Sequence, residues 1–340
     1  MKENMKNEPL VSVILLSYNQ SDYIESSINS VIEQVYKNWE LIIIDNGSND
    51  ESHSIIKKYS LNKKIKIFLH DSNICLGKRM NDGIDAASGD LISLLYSDDY
   101  YLPEKLHFQV NEINKLSPDW GMVYGPGYRL DMSTKKFELK KTIEFSGDIL
   151  KKLFSDFDSG FINPISPLIR KECFIKYPFY EDVFIESEAI LFRMAIKYKF
   201  FYMDLPLVVM RDTGRNAGYA AKQNSEFFAI VLDKLGKVDD FPSKLYTDYR
   251  NFKARIYKDN AWQNIRSGTD SLWVRNMIYK SISSNWKEIF NPKIFIAYVM
   301  SFYPVIVRRK INLLVNKIIN KKSDIYFEHY YAEIPKRERD

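Results

Sequence analysis

The sequence predicts an α/β fold built on a mostly parallel sheet with helices on both faces, followed by a helical C-terminal extension. Three observations predict it. Near-continuous apolar runs recur at 11–16, 41–44, 65–69, 91–95 and 121–124, and helical patterns lie between them. Such runs suit strands covered on both sides, which a parallel sheet between helix layers requires. Beyond about residue 223 the chain becomes Lys-rich and helix-like, with Trp and Tyr scattered through it.

In chain order, "VSVILL" is the first strand, and the helix after it carries Ile24, Ile28, Val31, Ile32 and Val35 on one stripe. Asp22 with Glu25, and Ser48 with Glu51, have the separation of an N-cap and its N3 partner. "LIII" and "IKIFL" are the second and third strands, "LISLL" the fourth and "GMVY" the fifth. Pro103 stands where a helix starts, with Leu106, Val110 and Ile113 on one face. From about 125 to 220 the pattern is less regular: "PISPLIR" and "PLVVM" read as short strands around a helix containing "ESEAILFRMAIKY".

Composition narrows the function. A chain of 340 residues suits one large domain plus an appendage, and 45% hydrophobic with 14% aromatic residues excludes global disorder. The net charge of +5 is mild and compatible with an anionic substrate or membrane surface. Cys75 and Cys173 are far apart and lack metal-ligand spacing, so they read as free thiols in a reducing compartment. "MKENMKNEPL" has no apolar h-region, which makes a cytoplasmic protein the expectation. "LLSYNQSD" after the first strand contains no glycine, against a dinucleotide-dependent dehydrogenase.

In a parallel sheet, ligands bind beyond the carboxyl ends of the strands. "SYNQ", "DNGSND" and "SDD" fall there, after strands one, two and four. Asp98 and Asp99 end an apolar run on two like charges, an arrangement that suits a bound cation. A divalent ion on those carboxylates could clamp a diphosphate, and Asp45 could accept hydrogen bonds from a base. A solvated turn ahead of Pro103 is the plainer alternative for the Asp pair.

The stretch "VSVILLSYNQSDYIESSINSVIEQVYKNWELIIIDNGSND", followed by "NDGIDAASGDLISLLYSDD", resembles the inverting family 2 glycosyltransferases of the Rossmann-like GT-A fold. The resemblance is strong over 9–125 and weak over 160–215. It implies a nucleotide-sugar donor, Mg²⁺ or Mn²⁺, and transfer of one sugar with inversion. The acceptor would be a hydroxyl of a glycan or lipid-linked glycan, as in bacterial surface polysaccharide assembly. Carried over by position, Ser17, Tyr18 and Asn19 line the nucleotide pocket and Asp45 recognises the base. Asp98 and Asp99 contact the ribose, the diphosphate and the metal.

The sequence also departs from the family. Asn46 stands where a second Asp is frequent, and Tyr96 at the first position of the Asp-x-Asp. "CLGKRMNDG" has Cys75 and Met80 where the family has Gly and Arg, which leaves Lys78 or Arg79 to supply charge to the phosphates, or merely to face solvent. The family places an acidic pair six and seven residues before an Arg. Aligning on Arg193 puts Glu186 and Ser187 there, with Glu188 next. Glu188, ahead of Glu186, is the expected general base; alternatively both are carboxylates favoured by a helix N-terminus. Thr213 occupies the place of a His that some members carry, so no His ligand is expected.

The implied organisation is a GT-A domain over 9–220, with a nucleotide-sugar half to about 125 and an acceptor half over 126–220. A helical region follows over 221–340. Residues 293–322 contain seven basic residues and no acidic one. Val307, Ile311, Leu314, Val315 and Ile318 share a helical face, away from Arg308, Arg309, Asn312, Asn316 and Lys317. The apolar run over 294–307 is too short for the ~20 residues of a membrane span, and Pro304 breaks it. It reads as a helix lying on the inner face of the cell membrane, or equally as one packed on the core or on a dimer partner. Nucleic acid is not an expected partner. Ser187 keeps open a rival reading, a non-catalytic nucleotide-sugar-binding or scaffold protein of the same fold.

Overall fold

In the computed structural model, the described residues are 8–157, 160–184, 186, 189–214, 216, 221–267 and 270–319. The chain divides into two compact units, Met1–Gly214 and Arg215–Asp340.

The first unit opens with β1 (Val11–Ser17), α1 (Ile24–Ile32), β2 (Trp39–Asp45), α2 (Ser52–Lys57) and β3 (Ile65–Leu69). It continues through α3 (Leu76–Ala86), β4 (Leu91–Tyr96), β5 (Tyr100–Tyr101), α4 (Lys105–Ile113) and β6 (Trp120–Tyr124). Then come β7 (Gly127–Asp131), β8 (Phe137–Lys140), α5 (Leu150–Asp156), β9 (Leu168–Arg170) and α6 (Lys171–Lys176). It closes with α7 (Ile190–Lys197), β10 (Lys199–Tyr202) and β11 (Val208–Asp212).

The main sheet has the order β10-β6-β9-β4-β1-β2-β3. All its pairings are parallel except those of the short β9, which runs antiparallel between β4 and β6. Every residue of β1 and β2 is buried, as expected for strands covered on both faces. Ile24, Ile28 and Val31 of α1 and Leu106, Val110 and Ile113 of α4 pack into the same core. Each fully buried aliphatic side chain of this kind stabilises the fold by about 1.5–3 kcal/mol.

Register places the strand ends together. Ser17 of β1 pairs with Asp45 of β2, and Leu16 pairs with Tyr96 of β4. Because these strands are parallel, loops 18–21, 46–51 and 97–99 leave from one edge of the sheet. A second, four-stranded sheet has the order β5-β11-β7-β8.

Local details differ from the sequence expectations. Val35 does not share the α1 stripe: the helix ends at Ile32, Val35 is exposed, and its N–H donates to Pro103 O at 2.8 Å. Neither predicted capping pair forms, because the hydroxyl of Ser48 is held at Asp45, and α1 starts on the N–H groups of Tyr23 and Ile24 bonding Gln20 O. Asp50 instead ties the two loops together, accepting from Ser21 N–H ahead of α1 at 2.9 Å and from Ser52 N–H at the first residue of α2 at 3.0 Å.

The second unit contains α8 (Ala221–Leu235), α9 (Tyr246–Ser267), α10 (Ser271–Ser284), α11 (Pro292–Met300) and α12 (Val305–Ile319), with a 3-10 turn over Trp286–Phe290. Its core holds Tyr257, Ala261 and Ile265 of α9, Val274 and Ile278 of α10, and Ile294 and Ala297 of α11. No helix among the described residues is long and apolar enough to cross a membrane.

Candidate active site

The loops after β1 and β2 are laced together by side chains accepting main-chain N–H groups. Asn19, in the left-handed region at φ 51°, gives its N–H to Ser48 Oγ at 2.8 Å. Its own Oδ1 accepts from Asn49 N–H at 2.9 Å. Asn tolerates this conformation better than bulkier residues do. Gly47, at φ 83°, is required: a Cβ there would come within 2.5 Å of the Ser72 main chain. That close approach brings in loop 72–76, where Asn46 donates to Asn73 Oδ1 at 2.8 Å and to Ile74 O at 2.9 Å.

Asp45 is fully buried and carries three hydrogen bonds. Ser48 donates its N–H to Oδ1 at 2.7 Å and its hydroxyl to Oδ2 at 2.6 Å, and His53 Nε2 lies 2.8 Å from Oδ1. The imidazole is 31% exposed, so His53 is the more accessible member of the pair. Sequence reasoning missed His53, which stands eight positions after Asp45 in the first turn of the short α2. Ser17 Oγ is buried without a hydrogen-bond partner among the described residues, and Tyr18 beside it is 39% exposed.

Asn46, at the position of the missing second Asp, also accepts from Arg79 Nε at 2.9 Å. Arg79 is thereby buried as a brace for the loop. Lys78 lies 2.8 Å from Asp82 and 3.8 Å from Glu181, so two carboxylates already share its charge. The start of α3 meets the segment before α7: Leu76 N–H donates to Phe184 O at 3.0 Å, and Cys75 Sγ lies 3.0 Å from Val183 O.

Asp98 is half-buried and Asp99 only 5% exposed. The serine-rich side of α1 fastens their loop: Ser27 Oγ donates to Ser97 O at 2.8 Å and also to Asp99 O. Arg211 of β11, to which the sequence reading gave no role, completes the hold. Its main-chain N–H donates to Asp99 Oδ1 at 2.9 Å, Nη1 to Asp98 O at 2.9 Å and Nη2 to Ser26 Oγ at 2.7 Å. The guanidinium also lies over the Tyr100 ring, 4.5 Å from its centroid. A cavity of about 280 Å³ beside it is lined by Arg211, Ser26, Glu33 and Tyr100 but by none of the strand-end carboxylates.

Burial, and then the charge of Asp98, push the Asp99 carboxyl well above the usual carboxylate range, while Arg211 pulls the other way. Two adjacent carboxylates of which one resists ionisation fit a hard divalent cation, whose charge would offset both causes. Among the described residues no third His, Cys, Asp or Glu joins them. Mg²⁺-type ions are commonly held by one or two carboxylates, with substrate phosphates and water completing the shell.

Glu186 sits inside the protein, not at an open surface. Arg193 donates to its Oε1 from Nε at 3.1 Å and Nη2 at 2.5 Å, and Tyr180 N–H donates to Oε2 at 2.6 Å. The Arg193 guanidinium stacks 3.8 Å above the Tyr180 ring. Glu188 and Ser187 lie outside the described residues.

Residues 12–177 match the family model described as glycosyl transferase family 2. The chain carries a family 2 glycosyl transferase domain. Among curated relatives of this domain, TuaG of Bacillus subtilis, provisionally named a teichuronic acid biosynthesis glycosyltransferase, is 36% identical over 104 residues. The match covers 30% of this chain and 41% of that one. The matched part spans less than half the length of each of the curated relatives compared.

Solved structures extend the likeness in fold. TarS 1–349 of S. aureus in complex with UDP superposes with a TM-score of 0.63 at 14% identity, covering 92% of each chain. The mannosyltransferase PcManGT of Pyrobaculum calidifontis, in complex with GDP-Man and Mn²⁺, gives 0.54 at 14% identity, covering 93% of this chain and 89% of that one. The transferase domain thus has the mixed α/β architecture of the GT-A glycosyltransferases, the fold class expected from the strand pattern.

Proposed function

We propose that the chain transfers one sugar, with inversion at the anomeric carbon, from a nucleotide-sugar donor to a hydroxyl of a glycan or lipid-linked acceptor, using Mg²⁺ or Mn²⁺. The setting is bacterial cell-surface polysaccharide synthesis, at the cytoplasmic face of the membrane and peripheral to it. One observation carries this reading: Ser17, Asp45 and the Asp98–Asp99 pair end three adjacent strands at one edge of a family 2 sheet. The donors bound by TarS and PcManGT support a nucleotide-sugar ligand, the Mn²⁺ of PcManGT supports the metal, and the name of TuaG supports the polysaccharide setting.

Tyr18 would pack on the nucleotide, with Ser17 and Asn19 shaping the pocket and the Asp45–His53 pair recognising the base. Asp98 and Asp99 would hold the ion, which when bound neutralises the diphosphate as it leaves. Arg211 keeps the Asp99 carboxylate and the Asp98 carbonyl in fixed orientation. Lys78 would lend positive charge toward the phosphates, but only by loosening its contacts to Asp82 and Glu181. The general base takes the proton of the acceptor hydroxyl as its oxygen attacks from the face opposite the diphosphate. Glu188 is the residue proposed for that step. Glu186 is the weaker candidate, because both its oxygens already accept hydrogen bonds inside the protein.

Calorimetric titration with UDP, GDP, CMP and dTDP tests donor recognition. One nucleotide should bind clearly better than the rest, and Tyr18→Ala should weaken it without loss of fold, since Tyr18 is exposed. Failure of all four to bind would remove the nucleotide-sugar reading.

A further inference from the structure

The second unit presents an apolar surface that its own core does not explain. More than half of the large exposed apolar side chains among the described residues lie between 286 and 313. The most exposed aromatic side chains within 286–313 are Trp286 at 64%, Phe290 at 76%, Phe295 at 66% and Phe302 at 60%. They come from the 3-10 turn, from α11 and from the link to α12.

Helix α11 has no charged residue after Lys293. Ile294, Ala297 and Met300 turn inward, yet Phe295, Ile296, Tyr298 and Val299 are equally apolar and face outward. A helix that is hydrophobic all round is ordinarily covered on all sides. Helix α12 turns polar side chains inward and leaves apolar ones outside. Arg308 and Asn312 are buried, with Asn312 Oδ1 accepting from Arg266 Nε at 3.0 Å, while Ile306, Val307 and Ile311 are exposed. The side chains of Leu314, Val315 and Ile318 lie outside the described residues.

We propose that the face formed by Trp286–Phe290, α11 and the start of α12 docks on the headgroup region of an anionic lipid bilayer. The inference deepens, and rests on, the membrane-peripheral part of the proposed function. Chemistry selects lipid. Aromatic rings with polar tips, such as Trp286, Tyr298 and Tyr303, suit the boundary between headgroups and acyl chains. A helix of nine residues, about 14 Å long, can lie flat with its outer side chains in that layer. Exposed Lys287, Lys293, Arg309 and Lys310 flank these apolar residues along the chain, with Lys293 Nζ 3.4 Å from Asp259 Oδ1. The sole acid within 286–313 is Glu288, whose Oε1 lies 3.2 Å from Lys258 Nζ. Apposing this face to its own copy would bring those four cations together, whereas anionic headgroups complement them.

Co-sedimentation of the full chain with vesicles tests the proposal. The protein should pellet with phosphatidylcholine vesicles containing phosphatidylglycerol, less with phosphatidylcholine alone, and progressively less as salt is raised. Replacing Trp286→Ser, Phe290→Ser, Phe295→Ser and Phe302→Ser together should weaken binding to the anionic vesicles by about tenfold or more. The melting temperature and donor hydrolysis should stay unchanged, which separates loss of docking from misfolding. Brominated lipid should quench tryptophan fluorescence of the parent and not of a Trp286→Phe variant. An intact protein that hydrolyses donor but ignores both vesicle types overturns the docking face and leaves the transferase reading standing. Equal binding by parent and quadruple variant overturns it too. So does a dimer, seen by light scattering, that the four substitutions dissolve, since the face would then belong to a second copy.

Discussion

Arg211 holds both members of the carboxylate pair: its N–H donates to Asp99 Oδ1 and its guanidinium to the Asp98 carbonyl, each at 2.9 Å. The residues are 112 positions apart, brought together by pairing of β11 with β5, where Val209 faces Tyr100. The same guanidinium reaches Ser26 of α1, so three separate segments meet on one side chain.

Arg211→Lys should expose this role. The main-chain bond to Asp99 survives, but a single ammonium cannot span both Ser26 and Asp98 as the planar fork does. Activity or metal affinity should fall by about 10- to 100-fold, the usual effect of losing a group that orients metal-binding residues. The metal concentration needed for half-maximal rate should rise. An unchanged metal requirement would reduce Arg211 to packing.

The two glutamates before α7 should separate by readout. Glu188→Gln should slow transfer by about 10²-fold or more, the scale of general base catalysis, with stability and nucleotide binding kept. Glu186→Ala should instead destabilise the fold by about 3–5 kcal/mol, as expected when one partner of a buried ion pair is removed. Denaturant unfolding and single-turnover rates measure the two. A fully active Glu188→Gln beside a stable but inactive Glu186→Gln would move the base to Glu186.

How far the sequence reaches is visible in these residues. The strands ending at Ser17, Asp45 and Tyr96 were legible because long apolar runs stop abruptly at polar clusters, and a parallel sheet must align those ends. The buried face of α4 followed from its helical spacing. Arg211 was illegible as a partner of Asp99 because its meaning depends on the register of β11 against β5, a strand of only two residues. The second sheet was missed for the same reason: strands of two to five residues carry little periodicity. On α12, spacing identified an apolar stripe but not which way it faces, and the buried Arg308 and Asn312 show that the polar side turned inward.

Acid sensitivity of the second unit should centre on Asp233. Burial raises its proton affinity, but hydrogen bonds from Lys253, Lys280 and Tyr257 outweigh that and bring its pKa down to about 2 from 3.8. A depressed folded-state pKa stabilises at pH above the unfolded value, and the gain is lost as pH falls toward the folded value. Asp233→Asn should therefore melt below the parent at neutral pH, with the gap closing between about pH 4 and pH 2. Melting curves across that window check it, and a pH-independent gap would assign the loss to packing.

The central claim is that Asp98 and Asp99 hold a divalent ion on the diphosphate of a sugar donor. Its most direct measurement is hydrolysis of UDP-, GDP-, CMP- and dTDP-linked sugars by the purified protein, with Mn²⁺ or Mg²⁺ and then with EDTA. At least one donor should be cleaved, EDTA should stop the reaction, and added metal should restore it. Asp99→Asn should be inactive at any metal concentration yet fold at least as stably as the parent, since it relieves a buried carboxylate beside Asp98. Undiminished turnover in EDTA would contradict the metal clamp, and no cleavage of any donor in the presence of metal would favour a binding or scaffold protein of the same fold.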